Sequence, residues 1–155
     1  MKVQICAVGR LRSGPEAELV ADYLARFDRT GRPHGLGPAT IAEVEDRKGG
    51  GMAAEAELLQ RSLPAGALTV VMDERGQMPS SPDFAAMLVR WRDQGRDVAF
   101  VIGGADGLSP ALRDRADAAI SLGTMVWPHM LVRVMLAEQL YRAATIIAGT
   151  PYHRA

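Results

Sequence analysis

The chain has 155 residues, is 48% hydrophobic and carries a formal net charge of +0. That composition fits one packed domain over residues 1–155, excludes a disordered polymer and argues against a broad basic nucleic-acid footprint, leaving only a local one open. Cys6 is the single cysteine and no apolar run approaches the ~20 residues of a membrane span, so neither an intrachain disulfide nor a transmembrane segment is expected, and a cytoplasmic, soluble protein is.

The run KVQICAV reads as a buried strand beginning at residue 2. A helix follows from about Pro15 to Arg29, with Leu19, Val20, Tyr23, Leu24 and Phe27 on one face. GRPHGLGP is a breaker-rich loop, followed by a weak strand over about Ala39–Glu45 and a second break at DRKGGG. A helix is expected from about Met52 to Ser62, a strong strand at ALTVVMD, and a loop at ERGQMPSSP. Ser80 or Ser81 caps the next helix, which carries Pro82 in its first turn and runs to about Gln94. DVAFVIGG is the clearest strand, Ser109-Pro110 opens a short helix, and DAAISL is the last strand. After GTMVW, Pro128 opens a long helix to about Ala148.

The order βαβαβαβαβα predicts an α/β fold with a mostly parallel sheet and helices on both faces. Such sheets bind ligands at the carboxyl ends of their strands. Three loops meet that condition in the second half of the chain, after Met72, Ile102 and Leu122.

VIGGADGLSP joins a strand to a helix through glycines that permit close backbone approach. Its spacing is neither a dinucleotide fingerprint nor a Walker loop. SLGTMVWPH is an apolar loop, and loops normally run polar over the surface. It is therefore expected to be covered, either by a flat apolar ligand or by the following helix. That last helix is apolar nearly all round, as in an element buried on most sides, and suggests a subunit interface. Its arginines Arg133 and Arg142 are nine residues apart and point to opposite sides; Glu138 precedes Arg142 by four, the favourable order. Without further context, both arginines read more simply as ordinary ion-paired surface residues. His34, His129 and His153 show no metal spacing, and no metal site is expected. Asp73 is expected to orient its loop. In YHRA, His153 is able to move a proton, Tyr152 to stack on a base and Arg154 to hold a phosphate, although a loose tail is the simpler reading. The basic residues are nearly all arginine, Lys2 and Lys48 being the lysines; genome composition is the simpler explanation, phosphate and base recognition the functional one.

The segments FVIGGADGLSP and SLGTMVWPHMLVRVMLAEQLYRAATIIAGTPYHR closely resemble the RlmH family, the ribosomal RNA large subunit methyltransferases H of the SPOUT superfamily. The likeness extends over the whole chain, through KVQICAVGRLR and VMDERGQMPSSPDFA. The resemblance implies a SPOUT-type α/β knot, in which the carboxyl-terminal segment threads a loop of the sheet, and a homodimer packed through terminal helices. It implies methylation of N3 of a pseudouridine in helix 69 of 23S rRNA, on assembled ribosomes, with S-adenosylmethionine as methyl donor. Carried over residue by residue, the donor would be contacted by Met72, Gly103, Leu122, Gly123, Thr124, Met125, Val126 and Trp127. Met72 stands where the family often has leucine, and Gly123 and Val126 where it often has Ser and Thr; backbone contacts tolerate such changes. Arg142, Tyr152 and His153 are the expected catalytic set, and Arg133 and Arg154 the expected RNA contacts. Two other readings remain: a SPOUT methyltransferase with a tRNA target, and a non-catalytic nucleotide-binding module with a flavodoxin-like sheet.

Overall fold

A computed structural model describes residues 1–155. In chain order the elements are β1 (Val3–Val8), α1 (Pro15–Gly31), a 3-10 turn (Arg32–His34), β2 (Ala39–Val44), α2 (Gly51–Ser62), β3 (Leu68–Gln77), α3 (Ser81–Asp93), β4 (Val98–Ile102), α4 (Pro110–Arg115), β5 (Ala118–Ile120) and α5 (His129–Ala148). The alternation is the one expected from hydrophobic patterning.

Local chemistry starts and stops these helices. Ser80 Oγ accepts a hydrogen bond from Asp83 N at 3.2 Å, and Ser109 Oγ one from Leu112 N at 3.2 Å; each cap satisfies an otherwise orphaned helix-start donor. Pro15 opens α1, with Glu16 and Glu18 in its first turn where the helix dipole favours acids. Gly149 closes α5 in the left-handed region at φ 72°, a conformation glycine adopts without Cβ strain. Thr150 N then donates to Thr145 O at 3.0 Å, which turns the tail back along its own helix.

The strands form one parallel sheet in the order β2-β1-β4-β3-β5. On β4, Val98, Phe100 and Ile102 join the core under α1, α3 and α5, while Ala99 and Val101 join the smaller core under α2 and α4. Burial on both faces is why this strand reads as an unbroken apolar run. Phe84 and Trp91 of α3 meet Phe100 edge-on at centroid distances of 6.0 and 6.5 Å, a favoured aromatic geometry.

One element differs from expectation. ERGQ, expected in a loop, continues β3 to Gln77. The register slips between Met72 and Gln77, both of which pair with Ile120, and Ser121 N donates to Gln77 O at 2.7 Å. The bulge lets polar residues remain in the ladder after the apolar pattern stops. At Gly76 an added Cβ would lie 2.6 Å from the backbone of Ala119 and Ile120, so only glycine admits this close crossing.

β5 lies at one edge of the sheet, yet α5 packs between α1 and α3, helices attached to β1 and β3. The chain therefore turns back across the carboxyl end of the sheet before α5 begins. This path accords with the knotted arrangement that the sequence resemblance implies.

Candidate active site

The parallel sheet places the ends of β1, β4, β3 and β5 at one edge. Close to that edge is a cavity of about 580 Å³, within the size range of small-molecule and cofactor sites. Its walls include Met72 from β3, Met78 to Ser81 from the β3–α3 connection, Ile120 to Gly123 after β5, and Leu136, Glu138 and Gln139 from α5. Most of the lining is apolar, with hydroxyl, carboxylate and amide groups at a few points. Ser81 Oγ donates to Gln139 Oε1 at 2.8 Å, which ties the start of α3 to α5 across the cavity. Ser121 Oγ accepts from Gly123 N at 3.1 Å and donates to Gly123 O at 2.8 Å, fixing the first turn of the β5–α5 loop.

Gly103 ends β4 in a buried position. A Cβ there would meet Gly107 C and O at 2.7 Å, so the glycine-rich turn folds on itself too closely for any side chain. Asp73 Oδ1 accepts from Arg75 N at 2.9 Å, and Asp73 Oδ2 lies 3.7 Å from Arg113; this is the orienting role expected of it.

The second half of the site adjoins the cavity further along α5, with Glu138 common to both. Glu138 gathers it. Arg142 Nη2 donates to Glu138 Oε1 at 2.6 Å and Arg142 Nε to the same carboxylate at 3.1 Å. Tyr152 Oη donates to Glu138 Oε1 at 2.9 Å. The Arg142 guanidinium sits 4.9 Å from the centre of the Tyr152 ring, and Tyr141 packs on the other tyrosine at 4.5 Å. Arg142 Nη1 is 3.3 Å from His153 Nδ1; guanidinium has no acceptor, so the N–H donates and Nδ1 accepts. The three expected catalytic residues are thus brought together by a turned-back tail.

Their environment reinforces the protonation states they hold at neutral pH. The Glu138 hydrogen bond raises the Arg142 pKa above its ordinary value, against an opposing effect of burial. Tyr152 is pushed up to about 12, by burial first and then by its hydrogen bond to Glu138 and that group's charge. At neutral pH it is a phenol that donates, not a base.

The expected donor-binding residues divide. Met72, Leu122 and Gly123 line the cavity, with Gly103 at the neighbouring strand end. Thr124, Met125, Val126 and Trp127 lie outside its lining and are exposed, Val126 at 83%. Of the two covers expected for this loop, packing under the following helix is corrected: no element of the same chain lies over it. Met130 and Leu131 extend this exposed apolar surface into α5. Arg154 is exposed and makes no ion pair.

Arg133 is also corrected. It is 1% exposed, with Nη1 2.6 Å from Glu43 Oε2 and Nη2 donating to Val8 O and Gly9 O at 3.2 and 3.1 Å. A guanidinium enclosed in this way, with both terminal nitrogens bonded and only Nε without a partner, has no face for RNA; it ties α5 to β1 and β2. Sequence reasoning had paired Glu138 with Arg142 but missed it as a hub, because Tyr152 reaches it only through the tail's reversal. It also missed Gln139, Ser81 and Gly76, which acquire partners or close neighbours only in the fold. No group of three or more His, Cys, Asp or Glu is placed to hold a metal ion, and no helix is long and apolar enough to cross a membrane.

The chain belongs to the SPOUT methyltransferase family: residues 1–153 match the family model described as "Predicted SPOUT methyltransferase". Within that class it is similar to proteins named ribosomal RNA large subunit methyltransferase H. One from Cereibacter sphaeroides is 71% identical over 154 residues, and one from Paracoccus denitrificans is 70% identical, with 99% of each chain covered in both cases. Among solved structures, a probable methyltransferase from Bordetella pertussis Tohama I aligns with a TM-score of 0.53 at 17% identity, covering 92% of this chain and 95% of that one. A probable methylase family protein from Haemophilus influenzae Rd KW20 aligns with a TM-score of 0.52 at 12% identity, covering 99% and 70%. These two likenesses concern the fold alone.

Proposed function

We propose that this chain is an S-adenosylmethionine-dependent ribosomal RNA methyltransferase that modifies N3 of a pseudouridine in helix 69 of 23S rRNA, on assembled ribosomes. The observation that carries the reading is 71% identity along 99% of both chains to a ribosomal RNA large subunit methyltransferase H. It acts as one SPOUT domain over residues 1–155, knotted by the carboxyl-terminal segment threading a loop of the sheet, and works as a cytoplasmic homodimer. Exposed Met125, Val126, Trp127, Met130 and Leu131 supply the kind of apolar surface that a subunit contact covers.

The cavity fits the donor. Its volume of about 580 Å³ and its apolar walls suit a nucleoside-sized group, with Met72, Leu122 and Gly123 on the wall and Gly103 beside it. The residues Thr124 to Trp127 complete the holding loop through their backbone. When bound, S-adenosylmethionine supplies an electrophilic sulfonium methyl group for in-line displacement.

The protein's own work is to place the base, stabilise charge and accept a proton. N3 of pseudouridine lies between two carbonyls, and loss of its proton leaves an imide anion. Arg142, held in place by Glu138, donates to a carbonyl where that charge develops. Tyr152, a neutral phenol held by Glu138 and by Arg142, positions the base. His153 takes the N3 proton. Since its Nδ1 accepts from Arg142, arrival of the RNA must release that contact or exchange the ring tautomer. Arg154, exposed beside them, pairs with a phosphate.

Tritium transfer from S-adenosylmethionine to ribosomes purified from a strain lacking the modification tests the reading. Label is expected at a helix 69 pseudouridine, with little on naked 23S rRNA, since a chain of zero net charge binds free RNA weakly. Label in tRNA would move the target to the alternative substrate. Absence of label from both would remove the enzymatic reading.

A further inference from the structure

The sheet's carboxyl edge carries two loops that the cofactor site does not use: residues 9–14 after β1 and residues 45–50 after β2. Between them they present Arg10, Arg12, Arg47 and Lys48, all exposed. Two of the three acids interleaved with them, Glu43 and Asp46, are engaged by backbone amides of the same loops. Glu43 Oε2 accepts from Leu11 N at 2.7 Å and from buried Arg133. Asp46 accepts from Lys48 N at 3.1 Å and from Gly50 N at 2.6 Å. Only Glu45 faces the cations, 3.5 Å from Arg10 and 3.7 Å from Arg47, while Arg12 and Lys48 make no ion pair. A chain with 18 basic and 18 acidic residues is thus locally positive on one outward surface.

The loops are held. Gly9 N donates to Val44 O at 2.8 Å, and Arg133 grips the carbonyls of Val8 and Gly9 from α5. Arg133 lies one turn into α5, the helix that follows the loop 122–127. One buried guanidinium therefore fixes the cation-bearing loop relative to the methyl-donor loop. Held cations bind polyanions at a smaller ordering cost than mobile ones.

We infer that Arg10, Arg12, Arg47 and Lys48 form a surface that binds the phosphate backbone of the substrate RNA beside the reacting base, with Arg133 as its positioning residue. The inference rests on the reading of the chain as an RNA methyltransferase. It assigns the register of the RNA to phosphate contacts on this surface and leaves base placement to the tail.

The test uses the full chain with ribosomes lacking the modification. Arg12→Gln/Arg47→Gln/Lys48→Gln is expected to raise the ribosome KM about tenfold and to flatten its dependence on salt, because each lost phosphate contact removes released counterions. S-adenosylmethionine binding, measured by calorimetry, is expected to persist. Arg29→Gln/Arg32→Gln/Arg61→Gln, which removes the same three charges from the opposite edge, controls for net charge and should leave KM and salt slope at wild-type values. Wild-type KM and slope in the triple variant would overturn the inference, as would an equal loss in the control. If KM rises but photo-crosslinks placed in the two loops map to ribosomal protein and not to rRNA, the surface serves another partner and the inference also fails. Failure of the underlying reading looks different: wild-type protein itself would transfer no methyl group.

Discussion

Arg133 and Arg142 sit nine residues apart on one helix and have opposite fates. Arg133 is sealed against the ends of β1 and β2, with every near acceptor belonging to the framework: Glu43, Val8 and Gly9. Arg142 has a quarter of its side chain exposed and shares its partners with a tyrosine and a histidine that arrive from the tail. The first holds loops in place; the second holds reactive groups in reach of a substrate. Charge and residue type are the same in both, so what separates structure from chemistry here is whether the guanidinium keeps an open face.

Removing each arginine should expose that division. Arg133→Ala leaves Glu43 and two carbonyls without their donor, and loss of one partner of a buried pair costs on the order of 3–5 kcal/mol. Urea unfolding should show that loss, at the lower end because Glu43 is 29% exposed. A variant as stable as wild type would end the structural account. Arg142→Ala should instead lower single-turnover methyl transfer by about 10²–10³-fold, the range for a removed charge-stabilising donor, with a smaller loss of stability than Arg133→Ala, because Arg142 is partly exposed and Tyr152 still donates to Glu138, and with S-adenosylmethionine binding retained. Full activity would remove Arg142 from catalysis.

The tail residues sharpen the comparison at smaller amplitude. His153→Ala should cost about 10²-fold and should flatten the acid side of the pH–rate profile; an unchanged profile shape would exclude it as the proton acceptor. Tyr152→Phe keeps the ring against Arg142 but loses the donor to Glu138, and a fall in transfer of about tenfold is expected, as for a lost hydrogen bond to a charged group. The same tyrosine gives an alkaline signature. Its folded pKa of about 12 stands above the ordinary 10.0, so its contribution to stability is present below about pH 10 and is lost as pH rises towards about 12. Ultraviolet titration should find one late-ionising tyrosine that is absent from Tyr152→Phe.

How much of this was legible in the sequence varies by element. Strand β4 announced itself because both of its faces are buried and nothing polar interrupts it, and β1 because Gln4 alone breaks its apolar run. The caps at Ser80 and Ser109 were readable because they act on residues three positions away. The polar end of β3 was not, since its partners are backbone groups of β5 some 40 residues on, and a ladder bond has no side-chain signature. Gly76 looked like any loop glycine for the same reason. The apolar loop 122–127 was read as covered because sequence shows hydrophobicity and not what lies above it.

Hydrophobic period, capping residues and the terminal motif determined, without any coordinates, an α/β chain of the SPOUT family and the residue types of its chemistry. These depend on local spacing, which a linear string records in full. Tertiary structure alone decided which arginine is buried, which carboxylate gathers the tail and which glycine admits a crossing strand. Each of those depends on groups far apart in sequence coming within ~3 Å, the range over which hydrogen bonds and close packing act.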